Sequence, residues 1–270
     1  MKLGMYLRNM GPQSTADTLV ACARAAEQAG IDDLWVADHI AIPPDDAEGS
    51  NGRYLDPLAT LAFLAGVTQR IHLGTGVLVL PYRPALPTAK WIATIQELSG
   101  GRLLLGVGAG WMEAEFRAVG VPRSQRGRIT DEMLAFLLRC FSNDVVELNG
   151  QPLLFRPRPP RPPIFVGGGA PHALRRAAKF GDGWMPMRGD PDTLRPQIEA
   201  LRAAMRAAGK PSPEVVAMTS LSLDDAAKSA EQLHRLADIG ATRVVHAWRY
   251  ADAADFARGA EALRRAVEHT

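Results

Sequence analysis

Two ionisable residues stand side by side where the apolar run of LWVADHIAIP ends: Asp38 and His39. An imidazole can give or take a proton near neutral pH, and a carboxylate beside it can orient whatever it meets. The plain alternative is a strand-end histidine hydrogen-bonded by a neighbour. Glycines are the second kind of candidate. In IFVGGGAPHALRRAA, Gly167, Gly168 and Gly169 run directly into a helix start. Bare N–H groups and the positive end of a helix suit an anion there, phosphate above all, although such a turn can also bind nothing. Gly74 and Gly76 interrupt IHLGTGVLVLPYRP, where glycine marks a bulge, a tightly packed corner or a close approach of backbone to a flat ligand. LLLGVGAGW has glycines at 106, 108 and 110. The dinucleotide fingerprint needs a further glycine where Trp111 stands, so a Rossmann turn is disfavoured and a glycine-lined floor with an aromatic wall remains.

Other chemistries find little support. His72, His172, His234 and His269 have no partner spacing for a metal, and no metal site is expected. There is no G-x-S-x-G elbow. Cys22 and Cys140 lie inside apolar helical patterns, where a small buried thiol is the ordinary reading. Trp184, Met187 and Arg188 at one expected strand end, and His246 and Trp248 at another, either line a pocket or pack its rim.

Positioning these residues requires a scaffold. Short apolar runs suited to strands buried on both faces cover Lys2–Leu7, Asp33–Ala37, Ile71–Leu78, Arg102–Val107, Ile164–Val166, Trp184–Met187, Val215–Leu221 and Arg243–Ala247. Between them fall amphipathic stretches. The first opens at Ser14 and Asp17 in the manner of a capping box and closes at Gly30, with Leu19, Ala23 and Ala26 as its inner stripe. The others are Asp56–Val67, Ala85–Leu98, Arg126–Phe141, Pro171–Phe180, Asp192–Ala208, Asp225–Ile239 and Asp252–Val267. Eight strand-helix units in unbroken alternation predict a single (β/α)8 barrel over residues 1–270, with short insertions after the second and fourth strands and before the fifth. Ile40–Leu55 follows the second strand. Ser142–Pro163 precedes the fifth, with NGQ as the turn of a small hairpin. In such a barrel the C-terminal strand ends carry function, which explains why Asp38 and His39 are tolerable where they stand.

The composition fits that picture. Hydrophobic residues make up 47% and charged residues 22% of 270, enough for a large core and against disorder. The formal charge of +2 is scattered, and the densest basic stretch, FRPRPPRPP, is broken by prolines, so neither nucleic acid nor a membrane is an expected partner. No apolar run approaches the ~18 residues of a membrane span, and a cytoplasmic location is the expectation.

Taken together, WVADH, LGTGVLVLPYRPALPTAKWIATIQELSGGRLLLGVGAGW, RGRITDEM and PPIFVGGGAPHALRRAAKFGDGW closely resemble the bacterial luciferase-like monooxygenase superfamily. The chain looks most like its small deazaflavin-dependent oxidoreductases, which use coenzyme F420. The resemblance runs from Lys2 to about Met187. It implies a barrel with the flavin or deazaflavin across its C-terminal face, Asp38 and His39 holding the ring, and His39 as the catalytic residue. Gly76 and Val77 match a dipeptide that many members keep as a non-prolyl cis bond behind the ring. Ala109, Gly110 and Trp111 match the loop beside the cofactor, Gly167, Gly168 and Gly169 match the loop that holds its phosphate, and Trp184 is placed with them in the cofactor site. The sugar-phosphate-oxidising branch carries a carboxylate where Trp111 stands, which weakens that substrate. Relatives often have histidine at Arg83. The implied activity is hydride transfer between F420 and a small organic substrate. Alternatives are a monooxygenase using reduced FMN from a separate reductase, and a non-catalytic flavin-binding barrel. A flavin or F420 reductase as partner and a homodimer are expectations of the same resemblance.

Overall fold

The computed structural model describes residues 1–47, 49–186 and 190–268. Met187 and Arg188, anticipated at the end of the sixth strand, lie outside the described residues, as does His269. The strands are β1 (Lys2–Tyr6), β2 (Asp33–Val36), β3 (His72–Thr75), β4 (Leu78–Val79), β5 (Leu103–Gly108), β6 (Val145–Leu148), β7 (Gln151–Leu154), β8 (Ile164–Gly167), β9 (Gly183–Met185), β10 (Glu214–Thr219) and β11 (Arg243–His246). The helices are α1 (Ala16–Gln28), α2 (Pro57–Ala65), α3 (Ala85–Leu98), α4 (Glu113–Ala118), α5 (Arg126–Ser142), α6 (His172–Phe180), α7 (Pro191–Ala207), α8 (Ala226–Asp238) and α9 (Ala253–Glu268).

Parallel pairing runs β3-β2-β1-β11-β10-β9-β8-β5, and β5 returns to β3 to close an eight-stranded barrel. The expected third strand is two pieces. β3 pairs with β2, the chain breaks step at Gly76 and Val77, and β4 resumes against Val107 and Gly108 of β5. Outside the barrel, β6 and β7 form an antiparallel hairpin. Its turn, Asn149 and Gly150, has φ of 52° and 75°, the left-handed pair that a two-residue hairpin demands and that this sequence supplies.

Caps set the helix starts. Asp56 and Asp225 accept from the amides three residues on, of Ala59 and Lys228. The first helix differs from its anticipated capping box: Thr15 is the cap, accepting from the Thr18 amide at 3.2 Å. Ser14 instead is buried, its hydroxyl donating to the Gly11 carbonyl and accepting from Arg53 Nε. α4, unforeseen in the sequence, is six residues long and is anchored by Phe116, which packs with Val79 and Tyr82 in a small cluster of its own. Two apolar residues separated by some thirty positions from their partner give no local periodicity to read.

Inside the barrel, Trp35, Leu104, Phe165, Met185, Val216 and Val245 form a plug beneath the C-terminal face. The indole of Trp35 fits because glycine faces it. A Cβ at Gly74 would stand 2.4 Å from Trp35 Cε3, and one at Gly106 would stand 2.0 Å from the Thr75 carbonyl oxygen. Of the alternatives for the strand glycines, Gly74 and Gly106 therefore serve packing. Below the plug, Asp33 accepts from both Trp35 Nε1 and Arg243 Nη1, a buried charge pair that closes the barrel floor. Gly106→Ala has no soft neighbour to displace and is expected to lower stability by about 1–3 kcal/mol or more. Urea denaturation checks this, and an unchanged midpoint would contradict the packing.

Candidate active site

A cavity of about 520 Å3 opens on the C-terminal face, within the range of small-molecule and cofactor sites. Its floor is backbone: Gly76, Val77, Gly108 and Gly110. The Gly76–Val77 peptide is cis. Gly76 N donates to the Val36 carbonyl at 2.8 Å, and the Val77 side chain lies over Gly108, where a Cβ would come within 2.6 Å of it. A side chain at 108 would thus push Val77 out of the floor.

At one end stands His39, at the end of β2. Tyr54 and Trp111 flank its ring, with centroids 5.0 Å and 6.1 Å away. Trp111 is largely exposed. His39 Nδ1 is 2.9 Å from Glu115 Oε2, and Glu115, a carboxylate 2% exposed, was not singled out in the sequence. Its other oxygen accepts from the amides of Ile40 at 2.6 Å and Ala41 at 3.2 Å, while Oε2 also accepts from the Tyr82 hydroxyl at 3.0 Å. Phe116 anchors α4 on one side, which turns Glu115 toward the loop after β2.

Electrostatics follow from that count. Burial pulls the Glu115 carboxyl up, but the His39 imidazole, the Ile40 amide and the Tyr82 hydroxyl outweigh it and hold the group below the usual carboxylate range. Burial and the Glu115 charge push the Tyr82 phenol upward, so it stays a donor. An ionised Glu115 can only accept, so Nδ1 of His39 carries a proton. Nε2, with no partner among the described residues, is left for the cavity.

Asp38 lines the same cavity and is clamped by Arg83 and the Val79 amide. Its two oxygens receive Arg83 Nη1 at 2.6 Å and Nη2 at 2.8 Å, and the Val79 amide at 2.7 Å. Arg83 also reaches Asp56 at 2.8 Å. Burial pushes the Asp38 carboxyl up while Arg83 and the Val79 amide pull against it. This bidentate clamp ties the end of β2 to β4 just past the cis peptide, and gives the arginine at position 83 a positioning role.

The far end of the cavity is cationic. Gly167, Gly168 and Gly169 lead into α6, with Arg126, His172 and Arg176 around them. Gly168 has φ of 117°, open only to glycine. The Gly169 and Ala170 amides have no acceptor among the described residues. Arg126, the first residue of RGRITDEM, went unassigned in the sequence although it opens that motif. Trp184, expected in the site, is a correction: it is 1% exposed in the core, and its indole N–H donates to the Gly168 carbonyl at 2.7 Å. It props the loop from behind because β9 turns it outward from the barrel axis. His246 likewise stays out of the cavity. Burial pushes it down to about 4, and its neutral Nδ1 accepts from the Leu221 amide. Ala109 lies on the cavity wall beside Gly110 and Trp111.

The closed α/β barrel thus carries on one face a single cavity with a histidine–carboxylate pair at one end and two arginines beside open amides at the other. The chain belongs to the luciferase-like monooxygenase family, whose profile matches residues 1–269. An uncharacterised protein of Mycobacterium tuberculosis is 34% identical over 248 residues, covering 85% of this chain and 84% of the relative. A 5,10-methylenetetrahydromethanopterin reductase of Methanolobus tindarius is 33% identical over 77% of this chain and 62% of its own length. An F420-dependent hydroxymycolic acid dehydrogenase of Mycobacterium tuberculosis is 32% identical over 73% and 56%. Two solved structures share the fold. A Streptomyces bottropensis monooxygenase superposes with TM-score 0.81 at 20% identity over 100% of this chain and 98% of its own. An F420-dependent secondary alcohol dehydrogenase does so with TM-score 0.80 at 17% identity over 97% and 98%.

Among the described residues no helix is long and apolar enough to cross a membrane, and no cluster of three His, Cys, Asp or Glu is placed to hold a metal.

Glu115→Gln replaces an acceptor oxygen by a donor, leaving at least one of four donors unpaired, and is expected to cost about 1–3 kcal/mol. Because the folded-state value of Glu115 is depressed, its stabilisation is present above the unfolded carboxyl value of about 4.3 and disappears as pH falls through the lower folded value. Melting temperatures between pH 3 and 6 should therefore fall more steeply on the acid side for the wild type than for Glu115→Gln. Parallel profiles would contradict this account of Glu115.

Proposed function

We propose that this protein is an oxidoreductase that moves a hydride between coenzyme F420 and a small organic substrate. The observation that carries the proposal is the polarity of one continuous cavity: a glycine and cis-peptide floor with the His39–Glu115 pair at one end and open amides with two arginines at the other. A flat ring with a phosphate-bearing side chain fits that shape and charge. The 32% identity to an F420-dependent dehydrogenase supports the choice of deazaflavin.

Bound F420 would supply a hydride donor or acceptor at its ring carbon C5. The chain supplies the rest. His39 Nε2, facing the cavity, takes the proton of a substrate hydroxyl during oxidation or returns one to a carbonyl during reduction. Glu115 fixes the ring orientation and stabilises the imidazolium that results, as a carboxylate does behind a catalytic histidine. Asp38 and Arg83 hold the floor in register, Gly168 and Gly169 with Arg126 and Arg176 hold the phosphate, and Tyr54 and Trp111 narrow the space beside His39 and limit water.

An anaerobic fluorescence titration with F420 and FMN, each oxidised and reduced, tests the cofactor. Binding of F420 in preference to FMN is expected; preference for reduced FMN would overturn the proposal in favour of an oxygenase served by a separate reductase. With F420 bound and a substrate found, His39→Ala should lower turnover by about 10²–10⁴-fold while leaving cofactor affinity within a few-fold. Unchanged turnover would remove His39 from the chemistry.

A further inference from the structure

The cationic end of the cavity does not stop at the phosphate loop. A second hollow of about 420 Å3 adjoins it, sharing His172 and Arg176 with the first and lined further by Gly127, Asp131, Arg175 and Lys179. His172, Arg175, Arg176 and Lys179 are spaced i, i+3, i+4 and i+7, which places them on one face of α6. The order of these side chains leads away from Gly169 along the helix.

The charges of this groove are unbalanced. Asp131 is its one carboxylate among the described residues, and it accepts from Arg176 Nε, while Arg176 Nη2 donates to the Gly127 carbonyl at 3.2 Å. Arg176 is thereby held rigid at the junction of the two hollows. Arg175 has no carboxylate partner among the described residues; its Nη2 lies 2.7 Å from His172 Nδ1. Lys179 is likewise without a carboxylate, with its ammonium 4.8 Å from the centroid of the Phe180 ring. Lys210 adds a further positive charge nearby, donating to the Lys179 and Gly181 carbonyls. A solvated helix face more often alternates its charges along i, i+4 pairs, as Arg128 and Glu132 do on α5.

A ligand for this groove must be anionic, flexible and joined to the group at Gly168 and Gly169. FMN ends at its phosphate. The side chain of F420 continues past its phosphodiester through lactate into a chain of glutamates, each bearing a free carboxylate. We infer that the groove formed by Arg175, Arg176 and Lys179 binds the oligoglutamate tail of F420, so that this protein recognises its cofactor by tail as well as by ring and phosphate. The inference rests on the proposal that F420 is the cofactor, and it supplies what the main cavity lacks, a feature that separates F420 from FMN.

The test is fluorescence titration of three deazaflavins, differing only in the side chain: the riboflavin-level chromophore without phosphate, F420 without glutamate, and F420 with several glutamates. Wild type and the double variant Arg175→Glu, Lys179→Glu are compared in low and high salt, with circular dichroism to show that both are folded. Each exposed ion pair contributes modestly, so the wild type should bind the glutamylated form about three- to tenfold more tightly than the form without glutamate at low salt. In the double variant or at high salt that difference should vanish, while affinity for the form without glutamate stays within about twofold. Equal affinities of the wild type for both phosphorylated forms would overturn the tail site and leave the cofactor proposal standing. An equal loss for both forms in the double variant would also overturn it, since the charges would then act on the phosphate. If no deazaflavin binds while reduced FMN does, the cofactor proposal itself fails and the tail site with it.

Discussion

The Glu115 carboxylate gathers four donors, the imidazole of His39, the amides of Ile40 and Ala41 and the hydroxyl of Tyr82, and the reactive end of the barrel depends on that convergence. The group is almost wholly buried, so every one of its lone pairs must be met, and each donor is correspondingly fixed. The loop after β2, the turn after β4 and the six-residue α4 are therefore held to one another by a single side chain. His39 gains from this a set orientation and a proton on the nitrogen that faces away from the cavity.

Backbone does the rest of the positioning. The cis peptide at Gly76–Val77, the Val77 side chain over Gly108 and the clamp of Asp38 on Arg83 and the Val79 amide form one continuous floor. Beneath it, Trp35 fills the barrel interior against Gly74 and Gly106. The glycines of these two strands thus divide by depth: deep in the barrel Gly74 makes room for an indole and Gly106 for the Thr75 carbonyl, and those at the rim make a surface on which a flat ring can rest. Trp184 illustrates the same layering from outside, holding the Gly168 carbonyl while remaining in the core.

Much of this was legible in the sequence. The eight strand-helix units, the Asn149–Gly150 turn and the Asp56 and Asp225 caps follow from periodicity and local turn chemistry, and the strand-end rule placed Asp38 and His39 on the working face. Glu115 was not legible, because its partner His39 lies 76 positions away and its helix is too short to show a period. Nor was the role of Asp38: neighbouring charges in sequence suggest a pair, whereas successive residues at a strand end point apart, one to Glu115 and the other to Arg83. Gly74 and Gly76 looked alike in the sequence, and only the position of Trp35 separates them. The cationic groove along α6 was present as HALRRAAK but acquires meaning only from its continuity with the glycine loop.

The central claim is that Glu115 fixes His39 with its proton on Nδ1, leaving Nε2 to the cavity. The most direct measurement is the pair of ¹⁵N chemical shifts of the His39 ring in histidine-labelled protein, assigned by comparison with His39→Gln and followed across pH. The account predicts a neutral form with Nδ1 protonated and Nε2 bare, and a mixture of tautomers in Glu115→Gln. A neutral ring protonated at Nε2 in the wild type would contradict it.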